Sequence, residues 1–140
     1  MIRLREGVLM NNSTIQIVGN VATDIRFNTT AEGIPVASFR LAATERKFDK
    51  TTARWVDGDV NWYTVSCWRA LGENAAASIQ KGDPVYVYGR LNVHSWERDD
   101  RSGTTLDVTA EVLGHDLGRG TAVFKRSGKA NSDEIEAAVA

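Results

Sequence analysis

Trp62, Trp68 and Trp96 fall at spacings that set flat, electron-rich rings on one side of two β-strands. The segment Asn61–Trp68 reads N-W-Y-T-V-S-C-W. Side chains alternate faces along a strand, so Trp62, Thr64, Ser66 and Trp68 share one side and Tyr63, Val65 and Cys67 the other. The run Val85–Trp96 reads V-Y-V-Y-G-R-L-N-V-H-S-W. It sets Tyr86, Tyr88, Arg90, Asn92, His94 and Trp96 against Val85, Val87, Leu91 and Val93. Burying the Val/Leu sides leaves aromatic rings, a guanidinium and small polar groups in the open. Such a surface suits unstacked nucleic-acid bases, because every base has a π-face and stacking requires no sequence code. Tryptophan is also common in cores. Here aliphatics already furnish a core face on both strands, so burying the Trp side needs a second layer or a subunit interface.

The elements that must carry these residues follow from periodicity. Ser13–Val21 alternates Ile15, Ile17 and Gly19 with Gln16, Val18 and Asn20, a first strand. Asn28–Pro35 holds Gly33 and Pro35, a turn. Val36–Lys47 reads as a second strand, and Val60–Trp68 as a third. Between them, Phe48–Gly58 is polar and charged around Trp55, a long hairpin loop or an extended two-stranded finger. In Ala70–Lys81 the period switches: Leu71, Ala75 and Ile79 recur at steps of four, with Gly82 placed as a left-handed cap. Val85–Trp96 is the fourth strand, Glu97–Gly103 a charged turn and Thr104–Leu113 the fifth strand. Five strands with a helix between the third and fourth is the order of the OB-fold, an all-β, partly open barrel that binds oligonucleotides. Gly19, Gly89 and Gly114 stand where coiled strands need bends.

The bulk properties permit one domain with one core: 140 residues, 42% hydrophobic. Net charge is −1, which is not the bulk signature of a nucleic-acid binder. Val36–Trp96 carries eight basic residues against six acidic ones, a balance of +2. With so weak a field, stacking must supply a large share of any affinity. The single cysteine, Cys67, forms no intramolecular disulfide, fits a reducing compartment and points inward. Met1–Met10 contains only Val8-Leu9-Met10 as an apolar run, so neither a signal peptide nor a membrane span is expected. Met10 is itself a possible start, which makes 1–12 a flexible extension.

Other chemistries find little support. The tight acidic pairs Asp57/Asp59 and Asp99/Asp100 lie in polar turns, and solvated loop charge explains them better than a metal nuclease site. His94 and His115 have no second ligand at metal spacing, so no metal and no cofactor are expected. Gly118-Arg119-Gly120 lacks the helix that a phosphate loop requires. An enzyme is not expected. Two readings compete with single-strand binding. One is an OB-type primosome adaptor, which has no need of three open-face Trp residues. The other is RNA binding, which stacking alone does not exclude.

Taken in order, I-V-G-N-V (Ile17–Val21), P-V-A-S-F-R-L-A (Pro35–Ala42), N-W-Y-T-V-S-C-W, L-G-E-N-A (Leu71–Ala75), K-G-D-P-V-Y-V-Y-G-R-L (Lys81–Leu91) and S-W (Ser95–Trp96) carry a resemblance. The chain is similar to the bacterial single-stranded DNA-binding (SSB) family over roughly residues 13–117. The resemblance implies an OB-fold, a homotetramer, cytoplasmic and nucleoid-associated residence, and sequence-tolerant single-strand binding in replication, recombination or repair. It also implies that the stacking aromatics are Trp62, Trp68 and Trp96. The family's fourth aromatic column holds Lys47 here, with Phe48 beside it as a substitute. Arg40, Arg90 and Arg69 are candidates for phosphates, and Tyr88 and His94 complete the expected face. The family's linker and acidic, Phe-ended tip are not present: the sequence given closes with S-D-E-I-E-A-A-V-A. That suggests a specialised paralogue, one that coats strands or co-assembles with a tailed paralogue. The segment V-L-G-H-D-L-G-R-G-T-A-V-F-K-R (Val112–Arg126) resembles the actinobacterial extension, which implies a clamp strand between subunits within 118–126, at Thr121–Lys125, and 127–140 reads as a disordered tail.

Overall fold

The computed structural model describes residues 13–128. Residues 1–12 and 129–140, where an extension and most of a tail were expected, lie outside the described residues. The elements run β1 (Thr14–Val21), β2 (Arg26–Thr29), β3 (Pro35–Asp49), β4 (Arg54–Trp68), α1 (Arg69–Ser78), β5 (Pro84–Arg98) and β6 (Arg101–His115). The sheet order is β1-β5-β6-β4-β3-β2, and a further β1–β3 pairing turns the sheet back on itself. Two seams are short. β1 meets β3 through Asn20↔Ala42 and Val21↔Leu41, and β4 meets β6 in parallel through Thr64, Ser66 and the Val65 between them. The result is the expected OB-type, partly open barrel, with β2 as an added edge strand.

The inward sides make one aliphatic core. Leu41, Val65, Cys67, Val85, Val87 and Val108 are fully buried, with Ile17, Val21, Phe39, Ala75 and Ile79 beside them. Two glycines allow the barrel to coil tightly. A Cβ on Gly19 would lie 2.6 Å from the Ala42 carbonyl oxygen, at the β1–β3 seam. One on Gly89 would lie 2.3 Å from the Thr109 oxygen, beside an irregularity where Glu111 has no β5 partner. That extra residue resets alternation in β6, so Val108 and Ala110 point inward before it and Leu113 after it. Gly114 has open space around its Cβ position, so close approach does not require glycine there.

Several expectations need correction. β2 takes in Asn28 and Thr29 of the expected turn: its four residues are all exposed, so it carries no alternation, yet it pairs with β3 through the Thr30–Gly33 turn. The helix stops at Ser78 rather than Lys81. Ile79 turns extended to reach the core, and its N–H donates to the Ala75 carbonyl. Gly82, at φ 97°, belongs instead to a Gln80–Asp83 turn, where the third position of such turns favours glycine. Of the two readings open for Phe48–Gly58, the two-stranded finger is the one present, with strand pairing out to Asp49↔Arg54. The charged turn shrinks to Asp99–Asp100. Val93 is 56% exposed because the β5–β6 hairpin outruns the core that its parity would have faced. Thr121–Lys125, expected as a clamp between subunits, pairs with no strand of its own chain. Within the chain, residues 121–124 border a groove along α1 with Ala75, Ile79 and Leu113. Among the described residues no helix is long and apolar enough to cross a membrane.

Two outcomes follow for stability and reactivity. Leu41→Ala should lower the unfolding free energy by about 2–5 kcal/mol in urea titrations, whereas Val93→Thr should change it by less than about 0.5 kcal/mol. Burial pushes the Cys67 thiol up to about 12. In the folded chain it should resist alkylation at pH 8 and react once urea unfolds it. A raised thiol pKa means that the unfolded chain ionises first. This contribution to stability is therefore whole below pH 9 and declines as pH rises toward 12.

Candidate nucleic-acid interface

The surface begins at β4, where Val65 and Cys67 are locked in the core and Trp62, Thr64, Ser66 and Trp68 must face out. Trp62 is 49% and Trp68 42% exposed. Pairing with β3 sets Ala42 beside Trp62, Arg40 beside Thr64, Ser38 beside Ser66 and Val36 beside Trp68. The Arg40 guanidinium stands 5.6 Å from the Trp62 ring centroid, a cation–π contact that orients both. Its backbone N–H donates to the Thr23 hydroxyl. Next to this lies a depression of about 540 Å³ lined by Arg26, Ser38, Arg40 and Thr64, among others.

On the other flank, β6 carries the surface across to β5. Thr64 lies level with Asp107 and Ser66 with Thr109; those two in turn pair with Asn92 and Arg90. Arg90, Asn92 and His94 therefore adjoin the β4 face, and Trp96, 46% exposed, lies further out on the β5–β6 hairpin. Its cross-strand partner is Gly103, and the indole occupies the place where a Cβ would be, 2.5 Å from the ring. Glycine there lets the ring lie against the strand, leaving its far side open. No sequence signal other than the register pointed to Gly103.

The expected residues do not all converge. Trp62, Trp68, Arg40, Arg90 and His94 share one connected surface, with Trp96 as its outer end. Arg90 is already engaged by Glu111 (3.6 Å) and His94 by Asp107 (3.3 Å), acids that the sequence did not single out. Tyr88 shares the β5 parity but sits against Gln16 of β1 and Val112 of β6. There it joins Tyr86 and Val18 on the β1 side of the outer face, with Arg90 next along the strand. Lys47 projects to the opposite side of its hairpin from Phe48, beside Glu45 at 3.8 Å. Arg69 is exposed at φ 60°, so the sharp turn from β4 into α1, rather than strand alternation, decides its direction. Phe48 pairs across the ladder with Trp55 on the finger. Among the described residues no group of three or more His, Cys, Asp or Glu side chains is arranged to hold a metal ion.

Comparison with known proteins agrees with this geometry. A model of the Single-strand binding protein family matches residues 11–116. The chain is 48% identical over 120 residues to Single-stranded DNA-binding protein 2 of Tropheryma whipplei (strain Twist), covering 86% of this chain and 78% of that one. It is 46% identical over 120 residues to Single-stranded DNA-binding protein 1 of Streptomyces coelicolor, covering 86% and 76%. The crystal structure of a small single-stranded DNA-binding protein from Streptomyces coelicolor superposes with a TM-score of 0.72 at 46% identity. That match spans 79% of this chain and all of the other. With the family matched across the whole barrel and with relatives of this identity in actinobacteria, the chain belongs to the single-strand binding protein family.

Proposed function

We propose that this chain binds single-stranded DNA with little sequence preference, stacking bases on Trp62, Trp68 and Trp96 and meeting phosphates through Arg40. The observation that carries the reading is the half-exposure of Trp62 and Trp68 on a strand whose opposite side is packed shut by Val65 and Cys67, with Trp96 half-exposed on the hairpin that continues the surface. Bases lie on the rings and need no hydrogen-bond code, which makes the contact tolerant of sequence. Arg40 enters pre-oriented by Trp62. Arg90 and His94 contribute only after a phosphate displaces Glu111 or Asp107, so their share is smaller than that of a free cation. The cellular consequence is coating and protection of exposed strands in replication, recombination or repair, in the cytoplasm.

The assembly reading accompanies it. Val18, Tyr86, Tyr88 and Val112 make an apolar patch on the outer side of β1, β5 and β6, and Val123 and Phe124 of the extension are exposed. Such surfaces suit burial between copies, and a homotetramer uses both. Co-assembly with a tailed paralogue would use the same patches.

Intrinsic fluorescence tests the first reading. Poly(dT) should quench most of the tryptophan emission, and duplex DNA should not. Each of Trp62→Ala, Trp68→Ala and Trp96→Ala should cost about 1–3 kcal/mol per base stacked, the range general to single-strand binders of this class. Three variants that bind like the parent would refute the surface. Equal or tighter binding of oligo(U) would favour RNA, and binding of neither polymer would favour an adaptor role. Affinity should fall with salt less steeply than for a basic groove, and Arg40→Ala should flatten the slope further. For the assembly, native mass measurement should give a tetramer that deletion of 120–140 weakens toward dimers while the barrel stays folded. A monomeric parent would end that proposal.

A further inference from the structure

The fourth tryptophan, Trp55, stands on the β3–β4 finger seven residues before Trp62. An odd spacing on a regular strand sends two side chains to opposite faces. The ladder is not regular here. Thr44 pairs with Val60 but Arg46 pairs with Asp57, so Glu45 alone opposes both Gly58 and Asp59. One extra residue in β4 reverses its alternation and returns Trp55 to the side of Trp62. β3 gives the same answer independently. Ala42, Thr44, Arg46 and Phe48 follow at steps of two, Ala42 is the partner of Trp62, and Phe48 is the partner of Trp55.

The finger holds this pair in a defined state. Phe48 and Trp55 meet edge to face, with centroids 5.5 Å apart and planes at 68°. Behind them, Arg46 donates to Asp57 at 3.0 Å and to the Trp55 carbonyl at 3.3 Å, tying the two strands together. Trp55 remains 61% exposed. An edge-to-face contact leaves a broad ring face free to stack. In the adjoining tip turn, Lys50 makes no ion pair among the described residues, whereas Arg54, one ladder step away opposite Asp49, starts from the other face. An exposed indole on a face continuous with Trp62, at a tip whose turn carries the unpaired cation Lys50, matches the chemistry of a base and its phosphate.

We propose that Trp55 is an additional base-stacking site, taking a nucleotide of the same strand that crosses Trp62, with Lys50 of the tip turn meeting its phosphate. The proposal rests on the single-strand reading above. Phe48 lies six residues beyond Ala42, about 20 Å of strand. The tip therefore serves oligonucleotides long enough to run past the barrel, and short ones do not reach it.

Fluorine NMR of the full chain labelled with 5-fluorotryptophan tests this, because the four tryptophans give four resonances, assigned by single Trp→Phe variants. Long oligo(dT) should move the Trp55 signal together with those of Trp62, Trp68 and Trp96. A short oligo(dT) should move some of the latter three and leave Trp55 in place. Trp55→Ala should weaken binding of the long oligonucleotide about five-fold or more, the equivalent of one stacked base, and leave the short one and the melting temperature unchanged. If the other three signals move and Trp55 does not, the tip site is overturned and the single-strand reading stands. If none of the four moves, the single-strand reading itself fails. Loss of protein capture in Trp55→Ala with unchanged DNA binding would make the tip a protein-docking site and likewise overturn the proposal.

Discussion

A barrel this narrow is filled by small aliphatic side chains, and that filling decides where everything else goes. Leu41, Val65, Val85, Val87 and Val108 leave no solvent on the inner side, and Cys67 completes the layer with a thiol too buried to ionise near neutral pH. The strand period of two then permits Trp62 and Trp68 only one direction. Neither ring is held in place by partners of its own rank. They are outside because the inside is occupied, and the scaffold that excludes them also fixes their separation along β4. Stacking on such rings costs little reorganisation, because the backbone carrying them is the same backbone that seals the core.

Electrostatics refine this surface without dominating it. Glu111 and Asp107 sit among the outward residues and hold Arg90 and His94, so the potential is muted where a basic groove would be strong. Arg40 differs, being held by a ring rather than by an acid. A surface that pairs most of its cations internally attracts polyanions weakly at long range and discriminates by what fits its rings at short range. Duplex DNA offers phosphates but no free base faces. The charge pattern and the aromatic pattern therefore favour the same kind of strand.

Much of the barrel was legible because alternation and the switch to helical period are local signals. Val85 through Leu91 and Asn61 through Trp68 announce their inner and outer sides residue by residue, and Leu71, Ala75 and Ile79 announce the helix. What escaped was set by partners remote in sequence. β2 has no buried side to reveal it, and exists because β3 offers it an edge. Ile79 leaves the helix early because the core needs it. The extra residues at Gly58–Asp59 and Glu111 appear only when two strands are laid side by side, so the true sidedness of Trp55 was hidden even though its identity was plain. Val93 failed in the opposite sense: its parity was right, but the core ended before it. The acids that restrain Arg90 and His94 lie on β6, and no spacing along β5 pointed to them.

The two long hairpins leave the barrel carrying none of its buried side chains beyond their bases. Phe48 and Trp55 at one tip, and Trp96 over Gly103 near the other, are supported by their own ladders and by each other rather than by the core. Folding therefore imposes few demands on how far each hairpin extends or what caps it, because the residues that stabilise the domain are elsewhere. Lineages can lengthen, shorten or re-tip a finger in two-residue steps that preserve sidedness, while single-residue insertions, like the one at Gly58–Asp59, invert it. Reach along a strand is thus a heritable dimension separable from stability, with parity of length as its only grammar.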